Sequence, residues 1–168
     1  ERVEYFTSSC ALGSPKLFTI SALVKAHGNL LKDIFTQDMP SDAATCCKFW
    51  EILCKNLPEV TKLISGEITP RHVKENYFYP YSIALQAVAV TANHLIKSSP
   101  KTWEQKLKKV KNINWKRTNA EWEGRAMSAG RLTTGGKHPF LTTNFVKDKL
   151  GIKLSDTELA IEKDFKRK

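Results

Sequence analysis

The sequence predicts a single all-α domain in which several amphipathic helices pack around one buried helix. The chain has 168 residues, of which 41% are hydrophobic, so it can fill one core without disulfide or metal support. Residues 81–97 are apolar almost all round and carry only a narrow polar stripe, which is typical of a buried helix. No segment alternates apolar and polar residues convincingly, so no strand is predicted.

Three Ser-Pro or Thr-Pro pairs are predicted to mark helix starts: Ser14-Pro15, Thr69-Pro70 and Ser99-Pro100. A hydroxyl N-cap followed by Pro at the first helical position favours initiation. After the first pair, apolar residues recur every three or four positions, and this stripe is predicted to face the core. The stripe comprises Leu17, Ile20, Val24, His27, Leu31 and Ile34, and Gly28 is predicted to bend or split the helix.

Further helix boundaries follow from capping residues. Ser41 is predicted to cap a second helix. Pro58 either closes that helix or opens a third short one, which Gly66 is predicted to end. Residues 133–139 are predicted to form a loop, after which Thr142 or Thr143 starts the next helix.

The last two helices, joined by residues 151–154, superficially resemble a helix-turn-helix. Ser155 and Glu158 form a capping box at the start of the final helix. Its first turn also carries Asp156, and carboxylates at that end are unfavourable near DNA phosphates. Capped structural helices with a basic tail are therefore favoured over a recognition helix.

Positive charge is concentrated in the second part of the chain. Residues 1–100 hold 10 basic and 9 acidic residues, whereas residues 101–168 hold 17 and 8. This asymmetry favours a polyanionic partner, with nucleic acid preferred over a membrane surface because no separate basic amphipathic helix with exposed aromatics stands out. A surface that merely aids solubility is the alternative.

A basic run beginning at Lys106 is the first candidate binding site. It contains no acidic residue and is interrupted by Trp115, a composition suited to phosphate contacts with an aromatic ring nearby. A solvated helix face is the alternative interpretation. The predicted DNA-contacting residues are Lys106, Lys108, Lys109, Lys111, Lys116, Arg117, Arg125, Arg131 and Lys137.

The segment 115–125 concentrates Trp, Arg, Asn and Glu side chains. Such a set either builds a buried polar network around the two Trp rings or grips a phosphate with two parallel hydrogen bonds. Glu123 is a candidate to orient Arg125 or Arg117.

No catalytic or metal-binding pattern is visible, so the chain is predicted not to be an enzyme and to need no cofactor or metal.

The cysteines Cys10, Cys46, Cys47 and Cys54 are interpreted as reduced thiols. Cys46 and Cys47 could be redox-reactive, and buried inert thiols are the alternative. Without a leader or a long apolar run, the expected location is the cytoplasm, with no membrane contact.

The order of motifs resembles the C-terminal half of the DndB family over nearly the whole chain. The similarity starts with Val3-Glu4-Tyr5, Ser8-Ser9 and the run from Ser14 to Ala22, and continues with residues 81–87 and Trp103. Its most specific parts are Ile113-Asn114-Trp115-Lys116-Arg117-Thr118-Asn119 and Trp122-Glu123-Gly124-Arg125-Ala126-Met127.

The resemblance implies a regulator of DNA phosphorothioation, in which sulfur replaces a non-bridging phosphate oxygen. It implies a transcriptional repressor that binds double-stranded DNA at the promoter of the modification operon. The family's N-terminal region carries an Asp-Gly-Gln-His-Arg motif, and no such run occurs here, so residues 1–168 are expected to be the helical C-terminal domain of a longer protein. A repressor of a palindromic operator would be a homodimer.

Two other functions stay open. The domain could be an interaction scaffold that binds other DNA sulfur modification or restriction proteins, its basic face meeting an acidic partner. Alternatively, the full-length protein could act enzymatically on DNA through residues outside this sequence.

Overall fold

The computed structural model describes residues 2–7 and 9–166, and these residues are mostly helical. The α-helices are α1 (Ile20–Leu30), α2 (Met39–Asn56), α3 (Val60–Ser65), α4 (Pro70–Asn76), α5 (Ser82–Ser98), α6 (Trp103–Leu107), α7 (His138–Lys149) and α8 (Asp156–Lys166). Two short 3₁₀ helices, Lys108–Asn112 and Ala120–Trp122, lie between α6 and α7.

The prediction of a purely α-helical chain is wrong in one respect, because four two-residue strands are present. β1 (Val3–Glu4) pairs in parallel with β2 (Phe18–Thr19), and β3 (Met127–Ser128) pairs antiparallel with β4 (Arg131–Leu132). Two residues are too few to create an alternating pattern, so these pairings left no signal in the sequence.

Of the three Ser-Pro or Thr-Pro pairs, only Thr69-Pro70 begins a helix. The Thr69 hydroxyl accepts a hydrogen bond from the His72 backbone N–H, 3.2 Å away, at the start of α4. Residues after Ser14-Pro15 instead form β2, and α6 starts three residues after Pro100. Both pairs mark turns before the helices rather than helix caps.

The core-facing side of α1 differs from the predicted stripe. Thr19 is the N-cap, accepting from the Ala22 N–H at 3.1 Å, and the buried residues are Ala22, Ala26 and Leu30. Val24, which was predicted to face inward, is 62% exposed. Large apolar residues therefore indicated the wrong face, because two of the three buried positions are alanines.

Several helix ends agree with the predictions. Gly66 ends α3 in the left-handed conformation, with φ +83°, where glycine is free of steric penalty. The capping box before α8 is confirmed, since Glu158 accepts from the backbone N–H and the hydroxyl of Ser155.

Two helix starts were predicted too late. α2 begins at Met39, with Asp38 rather than Ser41 as its N-cap. α7 begins at His138, with Pro139 in its first turn, so residues 138 and 139 of the predicted loop are helical. Proline suits this position because its missing N–H has no helical partner there.

α5 packs extensively against two other helices. It contacts α1 and α7, and apolar or small side chains are buried along its length, including Ile83, Leu85, Val88 and Leu95. The 3₁₀ helix Lys108–Asn112 packs against α2 and α7. None of the helices in the described part of the chain has the length and apolar character needed to span a membrane.

Candidate nucleic-acid interface

Three lysines project from one short helix in the basic segment. Lys108, Lys109 and Lys111, here called the lysine ridge, are exposed on the 3₁₀ helix Lys108–Asn112. This helix is anchored by Leu107 before it and Val110 within it, both fully buried. The ridge therefore consists of exposed charged side chains on a backbone that the core holds in place.

The ridge lysines form no ion pair with any residue that the structure describes. Many other lysines do, pairing with carboxylates on their own or neighbouring helices. The paired lysines are Lys48, Lys55, Lys62, Lys97, Lys137, Lys147 and Lys149. Since an unpaired surface ammonium keeps its full charge available, the ridge is a local concentration of uncompensated positive charge.

Of the two other lysines in this basic segment, only one adds to the exposed positive charge of the ridge. The ammonium of Lys109 lies beside Gly151, 3.7 Å from where a β-carbon on that residue would stand, which places the ridge near the end of α7. Lys116 is also exposed. Lys106 is half-buried and donates to the Ser99 hydroxyl at 2.7 Å, so its charge faces the protein more than the ridge does.

Arg117 has an internal role in this structure. Its guanidinium donates to the backbone carbonyl of Lys74 at 3.2 Å and to the Tyr81 hydroxyl at 3.4 Å. It also lies over the Tyr81 ring, 5.7 Å from the centroid, at a distance typical of a cation–π contact. Burial raises the pKa of Tyr81, although the Arg117 charge acts in the opposite direction.

Arg125 lies in the interior rather than on the surface. Its two terminal nitrogens donate to the two carboxylate oxygens of Glu162, at 2.8 and 2.7 Å, and one of them also reaches the Leu141 carbonyl at 3.0 Å. The Phe165 ring lies against the guanidinium at 4.6 Å. Its hydrogen bonds are thus made within the fold, and its residue is only 9% exposed.

Glu123 does not orient either arginine, contrary to the expectation. Its carboxylate accepts from the Ala129 backbone N–H at 2.7 Å, and so braces the turn between β3 and β4. The partner of Arg125 comes from α8, and sequence analysis missed it. Glu162 shares a helix face with Phe165 at a spacing of three residues, and both contact Arg125, but nothing in the sequence indicates which arginine they meet.

The remaining predicted residues, Arg131 and Lys137, lie on other elements. Arg131 is exposed in β4, and Lys137 precedes α7 and pairs with Asp164 at 3.0 Å. Residues 137 and 150 bracket α7, a separation of about 20 Å at the α-helical rise. Because Lys109 lies near Gly151, Lys137 and the ridge stand at opposite ends of α7 and do not form one compact cluster.

The tryptophans of residues 113–127, here called the signature segment, are core residues. Trp115 and Trp122 stack with centroids 5.6 Å apart, and Phe78 and Phe145 meet Trp122 edge-on at 4.1 and 4.4 Å. Their indole N–H groups donate to the backbone carbonyls of Val110 and Asn114. Trp115, only 1% exposed, therefore braces the ridge from below and offers no ring for stacking with a base.

The thiols and histidines contribute no cluster to this surface. All four cysteines are free; burial raises the pKa of Cys46, while Cys47 is exposed. His27 accepts a hydrogen bond from the Trp50 indole at 2.6 Å, as expected for a satisfied core histidine. Within residues 2–7 and 9–166 no three His, Cys, Asp or Glu side chains are grouped so as to hold a metal ion.

Comparison with known families confirms the resemblance to the DndB family that the sequence motifs indicated. The family model for DndB, described as DNA-sulfur modification-associated, matches residues 1–153. The chain belongs to the DndB family. The match includes α1 to α7 and the lysine ridge, whereas α8, which supplies Glu162, lies beyond it. No match was found among curated proteins or among solved structures.

Proposed function

We propose that this DndB-family chain is a DNA-binding regulator of phosphorothioation, and that the lysine ridge contacts the phosphate backbone. Membership of a family associated with DNA sulfur modification supports DNA as the partner. The observation that carries the proposal is the absence of carboxylate partners for Lys108, Lys109 and Lys111 within the described residues, on a helix whose backbone is fixed by buried Val110.

The geometry favours a role in affinity rather than in reading sequence. Lysine ammonium groups contact phosphates as point charges and carry no base information. The ridge is therefore proposed to bind promoter and unrelated DNA alike, while sequence selection is made by other groups of the regulator.

Arg117 and Arg125 are left out of the proposed contact surface. Bringing Arg125 to a phosphate would require breaking its paired hydrogen bonds with Glu162 and exposing the carboxylate to the same phosphate. Removing one partner from a buried ion pair typically costs about 3–5 kcal/mol, more than one exposed phosphate contact returns. Lys116, close to the ridge in sequence, is the better additional candidate.

The proposal is tested by measuring DNA affinity by fluorescence anisotropy over a range of salt concentrations. The variant replaces Lys108, Lys109 and Lys111 with Gln. Each lost phosphate contact reduces the slope of log affinity against log salt by about 0.9, so the triple variant is expected to flatten the slope by up to about 2.7.

A matched control removes the same charge elsewhere. Lys25, Lys32 and Lys163 are exposed and have no ion-pair partner in the described part of the chain, and their replacement with Gln should leave most of the slope in place. Equal flattening in both triple variants would show that net charge, and not the ridge, governs binding, and would refute the proposed contact surface.

Transcriptional repression is the regulatory consequence that we propose. A promoter reporter for the sulfur-modification genes should be derepressed by the ridge variant and stay repressed with the control variant. A homodimer and action in the cytoplasm belong to the same proposal; sedimentation of the protein with and without promoter DNA tests the former. We propose a binding rather than a catalytic role for this chain.

The interaction scaffold is the competing function, and the same titration separates the two. A scaffold whose basic face meets an acidic protein predicts no DNA shift even at low salt. DNA binding that weakens steeply with salt supports the regulator instead.

A further inference from the structure

An apolar cavity of about 300 Å³ lies between β2, α2 and α3. Its aromatic walls are Phe18, Trp50 and Tyr79, and its aliphatic walls include Leu53, Leu57 and Leu63. Native cores contain few voids larger than a water molecule, and ligand pockets begin at about this volume. The cavity is thus large enough to hold a small organic molecule.

The hydrogen-bonding groups of the aromatic walls are already occupied by the protein. The Trp50 indole donates to His27 at 2.6 Å, and the Tyr79 hydroxyl donates to the Pro58 carbonyl at 2.9 Å. Burial raises the pKa of Cys54, the thiol that also lines the cavity, and so keeps it neutral. The body of a ligand should therefore be apolar.

Arg2 supplies a positive charge to the lining of this cavity. The residue is exposed, and its guanidinium makes one long hydrogen bond, 3.4 Å, to the Pro15 carbonyl. It forms no ion pair with another described residue. Its backbone is held in place, because the Arg2 carbonyl accepts from the N–H groups of Leu17 and Phe18.

We propose that this cavity binds a hydrophobic monocarboxylate of about the size of a bicyclic aromatic acid. A dry cavity of about 150 Å³ accommodates one benzene ring, so twice that volume suits two fused rings. Aromatic walls favour an aromatic ligand through stacked or edge-on contacts. The Arg2 guanidinium matches a carboxylate at the polar end of the molecule.

The test uses isothermal titration calorimetry on the whole chain with 2-naphthoate, compared with the neutral 2-naphthylmethanol. Binding of naphthoate is expected, and the alcohol should bind more weakly. Because hydrogen bonds to charged groups are the stronger ones, Arg2→Gln should weaken naphthoate binding by about fivefold or more and leave alcohol binding unchanged. Arg131→Gln, at an exposed arginine that does not line the cavity, should change neither.

A second variant tests the location of the site. Leu57 is half-buried, so Leu57→Trp can fill the cavity while the protein stays folded, which its melting temperature reports. This variant should bind neither compound. Naphthoate binding that persists in folded Leu57→Trp, or that is insensitive to Arg2→Gln, would overturn the proposal, as would no binding at millimolar ligand. Since no DNA is present, the outcome is independent of the proposed regulatory function.

Discussion

Arg125 and Glu162 form a two-point ion pair that joins the signature segment to α8, with nitrogen–oxygen distances of 2.8 and 2.7 Å. Both side chains are nearly buried, at 11% and 13% exposure. The helix that carries Glu162 has no fully buried residue of its own. This pair, with Phe165 stacked on the guanidinium, is therefore a principal attachment of α8 to the domain.

Glu162→Gln is expected to destabilise the protein strongly, because it leaves the buried Arg125 charge without its counter-ion. The loss in unfolding free energy should be about 3–5 kcal/mol, measured by urea denaturation. Arg125→Lys should not preserve the wild-type stability, since an ammonium group cannot make the paired contact. Glu75→Gln, in the exposed pair with Arg71, is the control and should change stability little. Similar losses at positions 162 and 75 would contradict the assigned role.

Gly124→Ala should detach Phe165 from Arg125. Gly124 has φ +73°, and a β-carbon there would lie 2.5 Å from the Phe165 ring. The left-handed conformation costs a non-glycine residue about 1 kcal/mol or more, and the ring must also move. Hydrogen exchange should show faster opening of α8 than in the wild type. Gly130→Ala, which has nearly the same left-handed φ (+74°) but whose β-carbon meets nothing within 4 Å, is the matched control.

Lys74→Met is expected to loosen the N-terminal segment. The Lys74 ammonium is buried and donates to the backbone carbonyls of Ala11, Ser14 and Lys16 at 2.5, 2.9 and 3.1 Å. Methionine matches the length of the side chain but cannot donate to these carbonyls, and a buried hydrogen bond that loses its donor costs about 1–3 kcal/mol. Limited proteolysis should cut within residues 9–18 sooner than in the wild type. Unchanged cleavage would show that the hydrogen bonds of Lys74 do not hold the segment in place.

Stability should fall as the pH drops through the range of histidine titration. Burial lowers the pKa of His27 and His94 in the folded state, whereas an unfolded chain titrates near the ordinary value of about 6.5. Below that pH the unfolded chain takes up protons that the folded chain resists, so the free energy of unfolding decreases. Urea denaturation at pH 7.5 and pH 5.5 measures the difference.

The double variant His27→Gln/His94→Gln tests the assignment of this pH dependence. It should flatten the change between the two pH values, because both titrating groups are removed. Hydrogen bonding lowers the pKa of Glu121. Burial raises the pKa of Glu158, but its hydrogen bonds and the nearby Lys147 charge together outweigh burial and lower it. Both carboxylates act at lower pH than the histidines. A pH dependence as steep as that of the wild type would show that other groups are responsible.

Local capping chemistry was the part of the fold that could be predicted most directly. Thr69, Gly66 and the Ser155–Glu158 pair act through hydrogen bonds or backbone angles within a few residues, so their patterns are visible in the chain itself. The start of α1 could not be predicted in this way. Phe18 and Thr19 are drawn into a strand by pairing with Val3 and Glu4, a contact between segments 15 residues apart in sequence.

The sequence by itself determined that this protein is mostly helical, that its positive charge lies late in the chain and that its signature segment belongs to the DndB family. Only the tertiary structure decided which of those charges remain on the surface. From the sequence, Lys109 and Arg125 are both predicted to be surface cations. In the structure, Lys109 is exposed on the ridge without an ion-pair partner among the described residues, whereas Arg125 is neutralised by Glu162. The physical reason is that burial and ion pairing depend on which distant segments pack together, and composition carries no record of that choice.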